Sequence, residues 1–257
     1  MGKVYLIGAG PGDPELLTVK AARLLREANV VLHDSLVSDE VLQRISPSAI
    51  LVDVGKRCGT KLLTQDEING LLVGYAAAYA TVVRLKGGDP AIFGRAGEEL
   101  AALRDANLDY EVIPGVTAGL AAAAAAGISL TDRRAAAQVL FTTFSRGKGA
   151  AAMDWGCLTP TTTLVLYMPG PDYGEVANRL AEAGLPLDLP CAIVSQASRA
   201  AQQVRWTSVG ALSDADKLPA PAILVVGRVA RQQVQDLRDA FWSREESNKT
   251  TQAWNIV

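Results

Sequence analysis

The residues of this chain with the strongest chemical character sit in two glycine-rich turns. Val82-Val83-Arg84-Leu85-Lys86 runs into Gly87-Gly88-Asp89-Pro90, and Val4-Tyr5-Leu6-Ile7 runs into Gly8-Ala9-Gly10-Pro11-Gly12-Asp13-Pro14. Glycine removes side-chain bulk, so each turn lets a ligand approach the main chain. Each turn also ends in Asp-Pro, a pair suited to capping a helix and filling its first turn. Taken singly, either turn is an ordinary strand-to-helix connection; the repetition of the design points to a ligand. The first turn imitates the G-x-G-x-x-G fingerprint of dinucleotide sites, with Asp34 further on posing as the ribose-binding acid. Asp13 stands where the third glycine belongs, and a carboxylate there repels a pyrophosphate. Gly55-Lys56-Arg57 is a basic turn at the carboxyl end of a strand, where ligands gather in open α/β sheets. A solvated basic turn fits it equally well.

Composition narrows the chemistry further. The 257 residues are 49% hydrophobic, 20% charged and 5% aromatic, with a formal net charge of −2. This suits one large domain or two moderate ones around a substantial core. It lacks the basic surplus and stacking aromatics of a nucleic-acid binder. Cys58, Cys157 and Cys191 are few, odd in number and far apart, which fits reduced thiols in the cytoplasm rather than a disulfide framework. His33 is the only histidine, so a histidine-built metal site and a Ser-His-Asp triad are both excluded and no metal is expected. No secretory leader and no uninterrupted apolar run of membrane-spanning length is apparent.

Strands are expected at 4–7, 50–54, from Val82 and at 110–113, alternating with helices at 15–28, 36–45, from the Thr64-Gln65-Asp66-Glu67 capping box to about Tyr79, and at 98–107. Such alternation gives a mostly parallel sheet. Pro114-Gly115-Val116-Thr117 marks a boundary, dividing an N-terminal α/β domain, 1–114, from a C-terminal one, 115–242. The second begins with an alanine-rich helix at 118–126. Strands follow at 138–143, 162–168, 192–195, 202–208 and 222–226, with helices at 173–183 and 229–242; its sheet is expected to be mixed. Residues 243–257 read as a polar, disordered tail.

These motifs together resemble the tetrapyrrole methylase family. Val4 to Thr18 resembles its N-terminal signature, and Val83 to Arg95 with Glu98-Glu99 its second. Pro114 to Thr117, Leu164 to Met168 and Pro221 to Gly227 match further blocks. Gly55-Lys56-Arg57 and Leu63 to Asn69 are similar to the members that methylate uroporphyrinogen III. The resemblance implies two α/β domains with S-adenosyl-L-methionine in the cleft between them, a homodimer, and methyl transfer to ring carbons of a reduced tetrapyrrole, leaving S-adenosyl-L-homocysteine. A neighbouring corrin-ring methylase and a weakened, ligand-binding paralogue are the alternatives. Carried across, the cofactor contacts are Pro11, Gly87, Gly88, Asp89, Ile92, Thr117, Ala118, Met168, Ala197 and Ala222. Asp34 and Lys56 take the places of proton acceptor and donor, and Arg95 and Arg133 face the substrate. Three departures stand out. Ser35 follows Asp34 where the family carries arginine. Ser129 and Asp132 replace proline and histidine, and Thr143-Phe144-Ser145 replaces Thr-Gly-His. Arg134, Arg146 and Lys148 are candidates to compensate for the lost positive charge.

Overall fold

A computed structural model describes residues 2–55, 63–144, 153–170 and 172–231. The chain divides into two compact units. The first holds residues up to Ala122 together with Ser195–Gln203 and Pro219–Pro221. The second holds 123–194, 204–218 and the described residues from Ala222 onward.

The first unit is built on a parallel five-stranded sheet in the order β3-β2-β4-β1-β5. Its strands are β1 (Lys3–Gly8), β2 (Val30–His33), β3 (Ile50–Asp53), β4 (Thr81–Lys86) and β5 (Tyr110–Ile113). Parallel strands covered on both faces read as continuous apolar runs, and alternate residues serve opposite cores. Val4, Leu6, Val30, Leu32 and Val82 pack on one side with Leu72 of helix α3 (Gln65–Ala78) and Leu103 of α4 (Ala96–Asp105). Ile7, Val31, Val83 and Leu85 pack on the other with Leu24 and Leu25 of α1 (Val19–Glu27) and Val41 of α2 (Asp39–Leu42). The expected capping box at Thr64 is present: Thr64 Oγ1 accepts from Glu67 N at 3.2 Å, and Glu67 Oε2 accepts from Thr64 N at 2.6 Å.

Three element boundaries differ from expectation. Asp13 and Pro14 open only a short 3-10 turn, Pro14–Leu16, with Asp13 Oδ1 accepting from Glu15 N at 2.8 Å. Leu17 is extended, so α1 starts at Val19 and Thr18 caps it by accepting from Ala21 N. Ser38 likewise delays α2 until Asp39. Asp89 and Pro90 start no helix. Phe93 and Arg95 take left-handed backbone, with φ of 51° and 54°, and α4 begins only at Ala96.

The second unit carries a mixed five-stranded sheet in the order β6-β7-β10-β8-β9. These strands are β6 (Gln138–Thr143), β7 (Thr162–Tyr167), β8 (Pro190–Ser195), β9 (Gln203–Ser208) and β10 (Ala222–Val226). β7 runs parallel to β6 and antiparallel to β10. Leu164, Leu166, Ile193, Leu224 and Val226 form its core with Val176 and Leu180 of α6 (Tyr173–Glu182). The chain passes from one unit to the other within the alanine-rich α5 (Ala118–Ala125). The greater part of the helix expected at 229–242, and the tail after it, lie outside the described residues.

Candidate active site

In the first unit the loops after β1, β4 and β5 meet at the carboxyl edge of the sheet. Gly10 and Gly88 form a bridge, with Gly10 N donating to Gly88 O at 3.1 Å and Gly88 N to Gly10 O at 2.8 Å. A Cβ on Gly8 would lie 2.6 Å from Gly115 Cα, and one on Gly115 would lie 2.4 Å from Gly88 O. Only glycine allows the three main chains to come this close. Gly88 itself has φ +68°, yet a Cβ there would meet nothing nearer than Ala118 N at 3.7 Å and Thr117 Cα at 3.8 Å. Those are ordinary van der Waals distances, so at Gly88 it is the left-handed backbone rather than crowding that calls for glycine.

The expected cofactor residues of this unit gather at these loops. Gly87 lies against Leu36, where a Cβ would stand 2.9 Å from that side chain. Ile92 N donates to Asp89 O at 3.2 Å. Asp89 joins two loops, because Oδ1 accepts from Ala91 N at 2.8 Å and Oδ2 from Gly115 N at 3.0 Å. Ala197 lies buried between Gln196 and Ser198, both left-handed. Its segment reaches the β1 loop: Asp13 N donates to Ser198 Oγ at 3.4 Å and Arg199 Nε to Pro11 O at 3.3 Å. Arg199 Nη2 also donates to Leu36 O, bringing a guanidinium beside Ser35. A cavity of about 560 Å³ opens there, lined by Gly12, Asp13, Ser35, Ser38 and Arg199 among others.

Asp34 follows β2. Its Oδ1 accepts from Arg84 Nη2, and its side chain is 29% exposed. Arg84 is buried, and its Nε donates to Glu99 Oε1 at 2.8 Å. Lys86 Nζ reaches the same Glu99 oxygen at 3.0 Å. Burial, with the neighbouring Arg84 charge, pushes the Lys86 ammonium below its ordinary pKa, although Glu99 and Asp34 oppose this. For Arg84, burial works against the charge but Asp34 and Glu99 outweigh it, and the guanidinium is held more firmly protonated than usual. Sequence reasoning passed over Arg84, Lys86 and Glu99 as site residues. The available signal was two cations at alternate positions of an otherwise apolar strand. Arg95 forms a two-pronged pair with Glu98, at 2.7 and 2.6 Å, on the surface. Of the basic turn, Lys56 and Arg57 lie outside the described residues, as do Arg146 and Lys148.

Met168, Ala222 and Arg133 belong to the second unit. Tyr167 pairs with Ile223 at the end of the β7–β10 ladder, so Met168 and Ala222 are adjacent there. Met168 is left-handed and half-exposed. Arg133 is exposed in the short loop closed by the Asp132–Ala136 bridge. Asp132 is engaged by Arg134, with Nε at 3.1 Å from Oδ1 and Nη2 at 2.9 Å from Oδ2. Those bonds hold the Asp132 carboxyl down at about 2, so Arg134 offsets the carboxylate that replaces histidine. A second cavity of about 740 Å³ is lined by Asp132, Arg134, Asp188, Arg228 and Arg231 among others. Among the described residues, no group of three or more His, Cys, Asp or Glu side chains is arranged to hold a metal ion, and no helix is long and apolar enough to cross a membrane.

A parallel sheet with glycine-bared loops at its carboxyl edge, joined to a mixed sheet, defines a class. The chain belongs to the tetrapyrrole (corrin/porphyrin) methylases, whose family model matches residues 3–213. It is 46% identical over 235 residues to a uroporphyrinogen-III C-methyltransferase of Paracoccus denitrificans, covering 90% of this chain and 82% of that one. It is 44% identical to a siroheme synthase of Actinobacillus succinogenes over 89% of its own length, and spans only 48% of that longer protein. The uroporphyrin-III C-methyl transferase from Thermus thermophilus complexed with S-adenyl homocysteine superposes with a TM-score of 0.78 at 38% identity, covering 90% of this chain and 94% of that one.

Proposed function

We propose that this chain methylates ring carbons of uroporphyrinogen III, using S-adenosylmethionine and giving precorrin-2 for siroheme- or cobalamin-type synthesis. The observation that carries this is the 46% identity, over nine-tenths of the chain, to a uroporphyrinogen-III C-methyltransferase. The close main-chain approach of Gly8, Gly10, Gly88 and Gly115, together with the 38% identity to the Thermus relative complexed with S-adenyl homocysteine, supports a cofactor site at these loops.

In this reading Pro11, Gly87, Gly88, Asp89, Ile92, Thr117, Ala118, Met168, Ala197 and Ala222 are the cofactor contacts. The cofactor supplies a methyl group activated on a sulfonium, whose sulfur keeps the bonding pair and leaves as a thioether. The protein orients the ring carbon against that methyl, which is the larger part of the task. Asp34 takes the proton shed by the carbon next to the methylated ring, and the C–H pair restores a neutral conjugated system. Lys56 stands at the position that the family resemblance gives to a proton donor. Arg95 and Arg133 hold acetate and propionate groups of the substrate. The Arg95–Glu98 pair is exposed on both sides, and such surface pairs are weak enough to be exchanged for a substrate carboxylate. The protein acts as a homodimer in the cytoplasm.

Incubation with enzymatically made uroporphyrinogen III and labelled S-adenosylmethionine, followed by mass analysis, tests the reading. Labelled tetrapyrrole heavier by methyl groups is the expected product. Tight S-adenosylhomocysteine binding with no transfer would instead identify a binding paralogue.

A further inference from the structure

Arg84 and Lys86 sit two residues apart on β4, so both point to the same face as Val82, into the core beneath α4. Their side chains are 3% exposed, and Glu99 is fully buried. Burying these charges costs several kcal/mol per ion, and well-packed apolar residues of the same volume serve stability as well or better. The cluster therefore calls for a role other than stability.

Its geometry supplies one. The Arg84 guanidinium donates through Nε to Glu99, through Nη2 to Asp34, and through Nη1 to the Leu32 and Leu85 carbonyls at 3.4 and 3.2 Å. Acceptors on β2, β4, α4 and the Asp34 turn thus fix it in one plane. Lys86 shares Glu99 Oε1, leaving Glu99 Oε2 without a partner among the described residues. Of the four side chains, only Asp34 reaches solvent.

We infer that Arg84 is a positioning residue for Asp34: it locks one carboxylate oxygen and presents the other to the substrate, while Glu99 and Lys86 lock Arg84. This rests on the reading of Asp34 as proton acceptor. A carboxylate so held keeps its free oxygen in a fixed place. It suffices for the acidic C–H beside a freshly methylated, cationic ring, and its exposed edge returns the proton to water.

The test is a double-mutant cycle on the full chain with uroporphyrinogen III and S-adenosylmethionine. Lysine keeps the charge at position 84 but cannot span Asp34 and Glu99 together. Arg84→Lys is expected to lower kcat by about a hundredfold, the scale of a small misplacement of a reacting group. The KM for tetrapyrrole and the calorimetric affinity for S-adenosylhomocysteine should stay near wild type. Asp34→Asn should lose at least as much, and the double variant should be no slower than Asp34→Asn alone. A folded Arg84→Lys with wild-type kcat beside an inactive Asp34→Asn overturns the positioning role and leaves the proton-acceptor reading intact. Multiplicative losses in the double variant overturn it too, since a merely structural effect persists without Asp34. Wild-type turnover by Asp34→Asn removes the reading on which the inference stands. If Arg84→Lys is not recovered folded, Glu99→Gln takes its place: a kcat loss absent from the Asp34→Asn background supports the role, and wild-type kcat overturns it.

Discussion

β4 and β7 occupy comparable places and are built on opposite principles. Each lies inside its sheet, is six residues long and leads into a loop with candidate cofactor residues. β7 is buried at every position, and its polar groups inside are uncharged hydroxyls, those of Thr162, Thr163 and Tyr167. β4 is nearly as buried but carries a guanidinium and an ammonium, with their shared carboxylate on α4. A strand that only has to hold a sheet together is served by β7's solution. β4's solution adds desolvation cost and returns geometry, which supports placing the proposed chemistry in the first unit.

The contrast is broken most severely at Glu99. Glu99→Ala leaves two buried cations with no common anion, and a loss of about 3–5 kcal/mol in unfolding free energy is expected from denaturant titration. The loss should shrink as pH rises. Lys86 titrates below its ordinary 10.5 because burial disfavours the ammonium. In Glu99→Ala the ammonium also loses the Glu99 charge that opposes this, so its folded pKa falls further still. The variant's stability therefore starts to rise with pH before the wild type's does, and the loss shrinks between the two folded pKa values, both below 10.5. The sharper version replaces the whole cluster, as Arg84→Met with Lys86→Leu and Glu99→Leu. This triple variant should match wild-type stability or exceed it by about 1–4 kcal/mol, while turnover collapses.

β7 provides the control. Leu166 is fully buried among Leu164, Ile193 and Leu224. Leu166→Ala should cost about 2–5 kcal/mol through lost transfer energy and a cavity. No titrating group is involved, so the cost should be the same at both ends of the alkaline window in which Glu99→Ala recovers. Parallel pH dependence in the two variants would show that the β4 charges behave as ordinary packing.

A smaller effect is expected at the two arginines assigned to substrate, one in each unit. Arg95→Leu and Arg133→Leu each remove a charged hydrogen-bond partner worth about 1.5–3 kcal/mol. Tetrapyrrole affinity should fall roughly tenfold or more, with S-adenosylhomocysteine affinity in calorimetry unchanged. Loss of cofactor affinity in either folded variant would undo the division of roles between the arginines and the glycine loops.

Much of this could be read from the sequence, and the failures have physical causes. The strands at 110–113 and 138–143 and the Thr64 capping box are local patterns, and they appear where expected. The parallel and mixed sheets also follow from the order of elements. Asp-Pro at 13–14 and at 89–90 misled, because a cap and a first-turn proline permit a helix without compelling one. Extended Leu17 stops the first, and left-handed Phe93 and Arg95 delay the second. The buried cluster was illegible for a different reason. Arg84 and Lys86 acquire their meaning from Glu99, which lies 15 and 13 residues on, on another element. No spacing rule states which helix residue will face which strand residue. The same holds for Arg199, whose partners Pro11 and Leu36 are 188 and 163 residues away.

The smallest predicted effect sits inside β7. Thr163 is fully buried, and its Oγ1 has no hydrogen-bond partner among the described residues. A Cβ placed on Gly227 would fall 3.3 Å from Thr163 Cα and 3.6 Å from that hydroxyl, so the side chain lies against bare backbone of the strand end. Valine has the same branched shape with a methyl in place of the hydroxyl. Thr163→Val should therefore remove a desolvation penalty and add apolar contact, stabilising the protein by about 1 kcal/mol. The gain would be visible as a shifted denaturation midpoint with an unchanged slope. On β4 the corresponding exchange of polar for apolar groups is expected to abolish turnover; on β7 it should leave turnover at the wild-type level. A loss of stability in Thr163→Val would mean that the hydroxyl is bonded in solution, and that β7 also carries a polar contact in use.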